Sequence, residues 1–480
     1  MGYLNLTMTE LHELYVAGKA TPLDVVNEVI EALKKDRNNI LEKTMYEEAR
    51  AIAASLTKVE KDNILWGIPF LIKDNIVTRG VETTGSSNIL NGFIPLCNAV
   101  VIEKLLAAKA IPIAKTTLDE FGMGGRGETG HKGTTYNPYG KERTRIVGGS
   151  SSGSASGVAS GYVSFAVGSD TGDSIRKPAS FAGLVGFKPT WGEISRFGLF
   201  AFMPTFDHIG FFTRSVLEAR VLFEKTRGHD PKDATSIVNK PKREVKDASL
   251  KGKRVAVLEP LFALMKNQLL IKEFNKLVDK LRKEGTIVDF VPFDKDILAA
   301  IFPTYFILSC AEANISNANL TGIGFGNKQD GKSYEEIVAN TRGQGFSSRI
   351  KHRLMLGQYA LKKENRYEYY DRAQKARRLI VEAIDKVLAK YDVIMLPAAP
   401  SHAPTLTKPA EPNSEIENNF MAIGNFGGNP SITIPLCLDE GLPIGVNLTG
   451  KVFDDINVLN LALRIEEITK LYNLHAGLHL

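Results

Sequence analysis

Two short serine clusters are the first part of this sequence that could do chemistry. Ser150 and Ser151 follow Gly148-Gly149, and Ser174 ends the run SDTGDS. Ser150 and Ser174 lie 24 residues apart, which one helix and one strand would fill, so the chain would return to the same end of a sheet. The glycines beside both clusters would let backbone N–H groups approach a ligand, as an oxyanion hole requires.

A base is the second requirement, because a serine hydroxyl is a poor nucleophile until its proton is taken. The sequence has eight histidines, and none lies in either cluster. A lysine can serve if burial lowers its pKa, and Lys73 in PFLIKDN is a lone cation at the end of an apolar strand. The plainer interpretation is that Lys73 snorkels to the surface and that the serines are ordinary loop residues.

Taken together and in this order, Lys73, GGSSSGSA and GSDTGDSIRKPA resemble the central pattern of the amidase signature family. The resemblance implies a serine hydrolase of amides with a Ser–cis-Ser–Lys triad and no metal or organic cofactor in this chain. It also implies an α/β fold, a large mixed β-sheet covered by helices on both faces. By position, Ser174 would be the nucleophile, Ser150 the bridging serine and Lys73 the base. The oxyanion hole would consist of the backbone N–H groups of Thr171, Gly172, Asp173 and Ser174.

Other stretches are similar to one branch of that family, the A subunits of bacterial and organellar glutamyl-tRNA(Gln) amidotransferases. They include LTMTELHELYVAGKATPLDVV, TTLDEFGMGGRGETGHKGTTYNP and TRGQGFSSRIKHRLMLGQYALKKENRYEYY. The similarity implies glutamine hydrolysis and transfer of ammonia to a B subunit, with a small C subunit joining the two. The B subunit would use ATP and Mg to convert misacylated Glu-tRNA(Gln) to Gln-tRNA(Gln). Such a complex would be cytoplasmic, without a membrane partner.

In that branch an arginine, a tyrosine and an acid hold the glutamine substrate. Arg353 in KHRLMLG is the candidate arginine, because a guanidinium matches a carboxylate; a surface cation on an amphipathic helix is the alternative. Tyr305 is the candidate tyrosine, with Phe306 as an alternative alignment, and Ser151 is a further substrate-binding candidate. The position of the acid falls on Asn418. Two acids of the same stretch, Glu415 and Glu417, are alternatives.

One residue of the nucleophile loop departs from the family pattern, since Asp173 stands where the family has a second glycine. A carboxylate ~5 Å from an oxyanion would cost about 3 kcal/mol at an effective dielectric constant of 20. We therefore expect Asp173 to point away from the site, toward Arg176 or Lys177.

The rest of the chain predicts the elements that hold these residues. Its 480 residues are 43% hydrophobic and 24% charged, an ordinary globular composition, and the net charge of +6 does not by itself indicate a nucleic-acid binder. The three cysteines lie far apart and form no metal or redox motif, and no signal peptide or membrane-spanning run is seen. We expect a single domain over 1–480, with a catalytic core at about 60–215.

Local patterns predict the individual elements. Thr7 and Thr21 are predicted helix caps, and PFLIK is a buried strand. A small-residue helix is predicted over 155–168 and a long helical stretch over 349–390. KRVAVLEP and GTIVDFVPF should flank a helix, and NPSITIPLCLDEGLPIGVNLTG should form a hairpin. Helices that alternate with short apolar strands favour an α/β sheet.

Two other function classes are open from the sequence. A stand-alone amidase acting on a small aliphatic or aryl amide would use the same triad. A scaffold or nucleotide-binding protein would leave the triad unused, and GNKQDGKS at 326–333 matches the P-loop formula. The polar, glycine-rich stretch before it does not predict the buried strand that a P-loop requires, so we set nucleotide binding aside.

Overall fold

The centre of the computed structural model, which describes residues 2–238, 240–241, 249–407 and 420–476, is a sheet of eleven strands. The strands run in the order β1-β3-β2-β4-β6-β5-β10-β11-β9-β7-β8. They are β1 Leu41–Thr44, β2 Pro69–Lys73, β3 Ile111–Thr116, β4 Phe165–Asp170, β5 Val185–Lys188, β6 His208–Thr213, β7 Arg254–Leu258, β8 Ile287–Val291, β9 Val393–Pro397, β10 Ser431–Asp439 and β11 Leu442–Gly450.

The sheet is mixed. Strand β2 is parallel to β3 and β4, and β7 is parallel to β8 and β9. Between these two parallel groups, each strand is antiparallel to the next in the order β4, β6, β5, β10, β11 and β9. Every residue of β2, β3, β4, β5, β6 and β11 is buried. Because successive strand residues face opposite sides, burial at every position means that both faces are covered, and the predicted fold class is confirmed.

The covering layers are helical. The α-helices are Met8–Val16, Pro22–Leu33, Tyr46–Ser55, Val100–Ala107, Ser152–Ala159, Arg176–Phe181, Val216–Thr226, Glu259–Phe262, Gln268–Lys283, Lys295–Ser316, Tyr334–Gly345, Ser348–Leu361, Arg372–Leu388, Ile423–Phe426 and Asp455–Thr469. The capping boxes at Thr7 and Thr21 are both present, so these two predicted helix starts are confirmed. The predicted strand–helix–strand unit is confirmed as the parallel pair β7 and β8. The predicted closing hairpin is confirmed as the antiparallel pair β10 and β11.

Two predicted helices differ from the observed ones. The small-residue helix spans Ser152–Ala159 rather than 155–168, because Gly161 at φ +80° ends it and Tyr162 N–H bonds back to the Gly157 carbonyl. The chain then re-enters the sheet at Phe165. The stretch over 349–390 is two helices with the π-turn Tyr367–Asp371 before the second.

One helix of the described chain, Lys295–Ser316, is long and apolar enough to cross a membrane by length and composition alone. It packs along the helices Ser348–Leu361 and Arg372–Leu388, and half of its most apolar window is buried inside the protein. This packing makes it a core helix, and it carries Tyr305 and Phe306.

Candidate active site

The Lys73 amine lies at the centre of the predicted site. Lys73 is the last residue of β2 and is completely buried. Its Nζ lies 2.7 Å from Ser150 Oγ, 2.8 Å from Ser151 Oγ and 2.9 Å from Ser169 Oγ. The snorkelling alternative is therefore wrong, and two of the predicted triad residues are in contact. The Gly149–Ser150 peptide bond is cis.

Burial controls the charge of this amine. Removal from water lowers the pKa of Lys73 to about 7, against the opposing effect of Asp119, Asp170 and Asp207. None of these carboxylates lies within salt-bridge distance of Lys73 in the described part of the chain. A substantial fraction of the amine is thus neutral at neutral pH, as a base must be.

Those three carboxylates are all held by other groups. Asp119 accepts from the backbone N–H groups of residues 126 to 129, and Asp207 accepts from Thr171 Oγ1 and from two backbone N–H groups. Asp170 binds Arg176. Within the described ranges, no group of three His, Cys, Asp or Glu side chains could hold a metal ion.

Ser151, the predicted substrate-binding serine, contacts the lysine. It is fully buried, and its hydroxyl donates to the Ser169 carbonyl at 2.9 Å while accepting from Lys73. The remaining lone pair of Ser151 Oγ accepts the Ser169 N–H at 3.3 Å, so the proton and both lone pairs of the Ser151 hydroxyl are used by groups of the protein. Its backbone N–H donates to the Ser174 carbonyl at 3.3 Å, which joins the two serine clusters.

The loop that carries Ser174 leaves its backbone donors open. It connects β4 to the helix Arg176–Phe181, and the next N–H along the chain, that of Ile175, donates to Asp170. The four N–H groups of residues 171 to 174 meet no acceptor in the described part of the chain. Ser174 Oγ likewise has no hydrogen-bond partner among the described residues. A row of unpaired donors beside an unbonded hydroxyl is what an oxyanion hole with its nucleophile requires.

A buried ion pair holds this loop in place. Arg176 Nε and Nη2 donate to the two carboxylate oxygens of Asp170 at 3.1 and 3.0 Å, and Nη2 also donates to the Gly172 carbonyl. The charged guanidinium keeps the pKa of Asp170 well below its usual range. Asp173 forms its ion pair with Lys177, so the expected pairing is confirmed for Lys177, whereas Arg176 pairs with Asp170.

The predicted substrate residues approach from the helices over the sheet. A Cβ built on Gly172 would lie 3.1 Å from Tyr305 Oη, so this tyrosine borders the nucleophile loop. Arg353 lies between Phe306 and Phe202, with its guanidinium carbon 5.1 and 5.8 Å from their ring centroids. Phe306, the alternative to Tyr305, therefore stacks on the arginine instead.

Arg353 has no carboxylate partner in the part of the chain that the structure describes; its hydrogen bond goes to Ser309 Oγ at 3.5 Å. It lines a cavity of about 420 Å³ together with Phe306, Arg349 and His352. An unpaired guanidinium at a cavity wall suits a carboxylate ligand. Asn418 and its alternatives Glu415 and Glu417 lie outside the described residues.

Two residues beside the proposed triad are not among the sequence predictions: Ser169, which contacts Lys73, and Asn75, which contacts Ser169. Ser169 lies five residues before the nucleophile, and Asn75 two residues after the base; Asn75 Nδ2 donates to Ser169 Oγ at 2.9 Å. The signal for Ser169 was the polar residue before the aspartate in GSDTGDS. Nothing local singles out Asn75, because its contact with β4 depends on strand pairing.

The chain belongs to the amidase family, whose model matches residues 24–459. By family it is an amidase-type hydrolase.

The chain is similar to A subunits of glutamyl-tRNA(Gln) amidotransferases and to a peptide amidase. The glutamyl-tRNA(Gln) amidotransferase A subunit of Thermoanaerobacter pseudethanolicus is 37% identical, over 98% of each chain. The crystal structure of the corresponding A subunit from Thermotoga maritima superposes with a TM-score of 0.77 at 31% identity, over 96% of this chain and 94% of that one. A native peptide amidase from Stenotrophomonas maltophilia superposes with a TM-score of 0.79 at 25% identity, over 97% of each chain.

Proposed function

We propose that this chain is the glutamine-hydrolysing subunit of a tRNA-dependent amidotransferase. It releases ammonia from glutamine, and B and C partner subunits use that ammonia, with ATP and Mg, to convert Glu-tRNA(Gln) to Gln-tRNA(Gln) in the cytoplasm. The observation that carries amide hydrolysis is the contact between the buried Lys73 amine and Ser150 Oγ. The identity to amidotransferase A subunits over nearly the whole chain favours glutamine as the amide.

The first chemical step forms an acyl-enzyme. Neutral Lys73 takes the proton of Ser150, Ser150 takes that of Ser174, and Ser174 Oγ attacks the carboxamide carbon of glutamine. The carbonyl oxygen becomes an oxyanion, which the open N–H groups of residues 171 to 174 stabilise. The relay then reverses and protonates the leaving nitrogen, so that ammonia departs rather than an amide anion.

The second step regenerates the enzyme. A water molecule gives a proton to the same relay and attacks the ester carbon of the acyl-enzyme. Collapse of the second oxyanion breaks the bond to Ser174 Oγ and returns the proton to it, releasing glutamate. Each half of the cycle uses Lys73 once as a base and once as an acid, which favours a pKa near the working pH.

Arg353 and Tyr305, which lie outside the triad, recognise the glutamine substrate. The α-carboxylate binds Arg353, whose guanidinium has aromatic rings on both sides and no acidic partner among the described residues. Tyr305 covers the loop at Gly172 and borders the carboxamide. A test is Arg353→Ala: KM for glutamine should rise ~100-fold, while hydrolysis of an amide without a carboxylate changes less than threefold. Equal losses on both substrates would contradict this placement.

A stand-alone amidase is the second candidate, because the peptide amidase superposes as well as the amidotransferase chain does. The deciding experiment measures ammonia release from glutamine by the chain alone, then with its co-purified partner subunits, ATP and Glu-tRNA(Gln). We expect release to depend on the complex and to stop in Ser174→Ala. Full activity of the isolated chain that ignores partners and tRNA would favour the stand-alone amidase. Normal amidation by Ser174→Ala with glutamine as donor would reject both.

A further inference from the structure

A second groove runs along the helix that carries Arg353, on a different face of that helix. It encloses about 530 Å³, and the helix and its C-cap contribute six residues to it: Lys351, Leu354, Met355, Gln358, Tyr359 and Lys362. Residues three and four apart share one face of a helix, so these positions form a continuous stripe. The neighbouring stripe, with Arg349 and Arg353, lines the cavity assigned above to glutamine. We call the second site the outer groove; the proposed mechanism does not use it.

The floor of the outer groove is apolar. Phe346 and Leu354 lie at its base and are 3% and 7% exposed. Met355 and Tyr359 also line it, with 59% and 48% of their surfaces open to solvent. Single exposed apolar residues are ordinary, whereas a concave surface that combines several of them marks an interaction site. Methionine and aromatic side chains are enriched in protein–protein interfaces, so the groove offers places for apolar side chains of another protein.

The charged side chains of the outer groove are all positive. Arg342, Lys351 and Lys362 line it, and no described Asp or Glu does. Arg342 donates to two backbone carbonyls and Lys351 donates to that of Gly343, but none of the three cations forms an ion pair with another described residue. Carbonyl acceptors fix the direction of these side chains and leave their charge uncompensated. An apolar floor beside uncompensated cations is complementary to apolar side chains flanked by acids.

A protein segment fits the outer groove better than a nucleic acid does. Nucleic acids are bound mainly through hydrogen bonds to phosphates and sugars, and their interfaces are more polar than those between proteins. The side chains of Phe346, Leu354 and Met355 offer no donor to a phosphate or a sugar. Apolar side chains of a protein would cover this floor, and acids beside them would reach the cations.

We propose that the outer groove is the docking site of a partner subunit of the amidotransferase, which inserts a segment with large apolar side chains flanked by Asp or Glu. The inference rests on the proposed function, which requires partner subunits, and goes beyond it by locating one of them on this chain. The inserted segment would contact the helix Ser348–Leu361, which also holds Arg353, without contacting Arg353 itself.

Charge reversal tests the acidic character of the partner. In Lys351→Glu/Lys362→Glu the groove would repel an acidic segment, so the co-purified complex should dissociate at a concentration at least 10-fold higher than wild type in 50 mM salt. This difference should shrink in 500 mM salt, because salt screens exposed charges. Sedimentation velocity of the complex over a dilution series is the measurement.

A matched control uses two lysines with the same spacing on another helix. Lys272 and Lys283 are exposed on Gln268–Lys283 and lie outside the outer groove. Lys272→Glu/Lys283→Glu changes the net charge by the same amount and should leave dissociation of the complex within twofold of wild type.

A second variant removes the apolar anchors. Met355→Ala/Tyr359→Ala should also raise the dissociation concentration at least 10-fold, and by the same factor at both salt concentrations, because no charge is changed. Leu96→Ala/Tyr472→Ala is its control, since both side chains are exposed and lie outside the groove. The altered residues of both groove variants are at least partly exposed, and wild-type thermal midpoints of the isolated chains would show that they fold.

The possible outcomes separate the inference from the proposed function. An intact complex with wild-type dissociation in both groove variants would overturn the inference alone. Loss of tRNA binding by a complex that stays assembled would assign the groove to nucleic acid, and loss of self-association by the isolated chain would assign it to a second copy; each would overturn it too. A wild-type chain that co-purifies with no partner subunit would instead reject the proposed amidotransferase function, and the inference with it.

Discussion

Two completely buried lysines end up with different chemistry on neighbouring strands. Lys73 on β2 and Lys115 on β3 lie on a parallel pair in which Thr116 is opposite Lys73. Lys115 Nζ binds the Asp74 carboxylate at 3.1 Å and the Ile76 carbonyl at 2.7 Å, whereas Lys73 meets three hydroxyls. Burial lowers the pKa of both amines, but a carboxylate in contact opposes it for Lys115. The two buried amines therefore differ in their partners: a carboxylate contacts Lys115, and hydroxyls contact Lys73.

The largest expected effect comes from removing Lys73, the proposed base. Lys73→Ala should lower kcat for glutamine by about 10³-fold or more with little change in thermal midpoint, because the serine relay loses its proton acceptor. Lys73→Arg is the control for volume and charge; it should be equally inactive, since a guanidinium is not deprotonated in proteins. Steady-state ammonia release at pH 8 is the measurement. A wild-type rate in either variant would remove the distinction between the two lysines.

Substitution of Lys115, the lysine paired with Asp74, should affect the stability of the fold rather than catalysis. Lys115→Met leaves the Asp74 carboxylate buried without its partner, which should destabilise the protein by about 3–5 kcal/mol. Urea unfolding measures this loss, and kcat per folded molecule should stay within threefold of wild type. The matched double variant Asp74→Asn/Lys115→Met should recover most of the stability. A large fall in kcat with unchanged stability would place Lys115 in the reaction.

A smaller effect is expected in the pH dependence of kcat/KM, which should fall toward acidic pH. Below about 7 the Lys73 amine is increasingly protonated and cannot accept a proton, so kcat/KM should fall as the pH is lowered. A group with this pKa makes the rate at pH 6 about tenfold lower than at pH 8. Initial rates at saturating partner subunits, with thermal midpoints at each pH as the control, measure it. A flat profile from pH 6 to pH 8 would mean that the base titrates elsewhere.

The smallest effect concerns the acid beside the oxyanion hole. Because Lys177 neutralises Asp173, Asp173→Gly should change kcat less than threefold. Lys177→Ala leaves the carboxylate unpaired near the developing negative charge and should lower kcat ~10-fold. The double variant should return toward the wild-type rate. A hundredfold gain in Asp173→Gly would show that the carboxylate faces the oxyanion after all.

Much of the architecture could be predicted from short sequence stretches. The helix starts at Thr7 and Thr21 are predictable because each capping threonine has an acidic partner three residues later in the sequence. The strand at PFLIK and the closing hairpin follow from apolar runs and turn residues. The helix over 155–168 was placed too far along the chain because its small residues have no apolar periodicity, and the stop at Gly161 is a backbone conformation.

The candidate site also contains residues that the sequence could predict and residues that it could not. Lys73, Ser150 and Ser174 could be selected because their surroundings form a continuous pattern. The pattern also includes Ser151, but it does not say which way a buried hydroxyl points, and the contacts of Ser151 Oγ with Lys73 and Ser169 follow only from the folded chain. Asn75 was missed, because its relation to Ser169 arises only when β2 and β4 pair.

The sequence by itself determined the α/β class, the family resemblance and the choice of residues for the proposed triad, because these depend on patterns within a few residues of one another. Only the tertiary structure decided that the Lys73 amine meets hydroxyls, with a pKa lowered to about 7, and that Lys115 is half of an ion pair. It also placed Arg353 between two aromatic rings from distant parts of the chain. A pKa and a binding pocket depend on desolvation and on neighbours contributed by other elements, and those neighbours exist only after the sheet has formed.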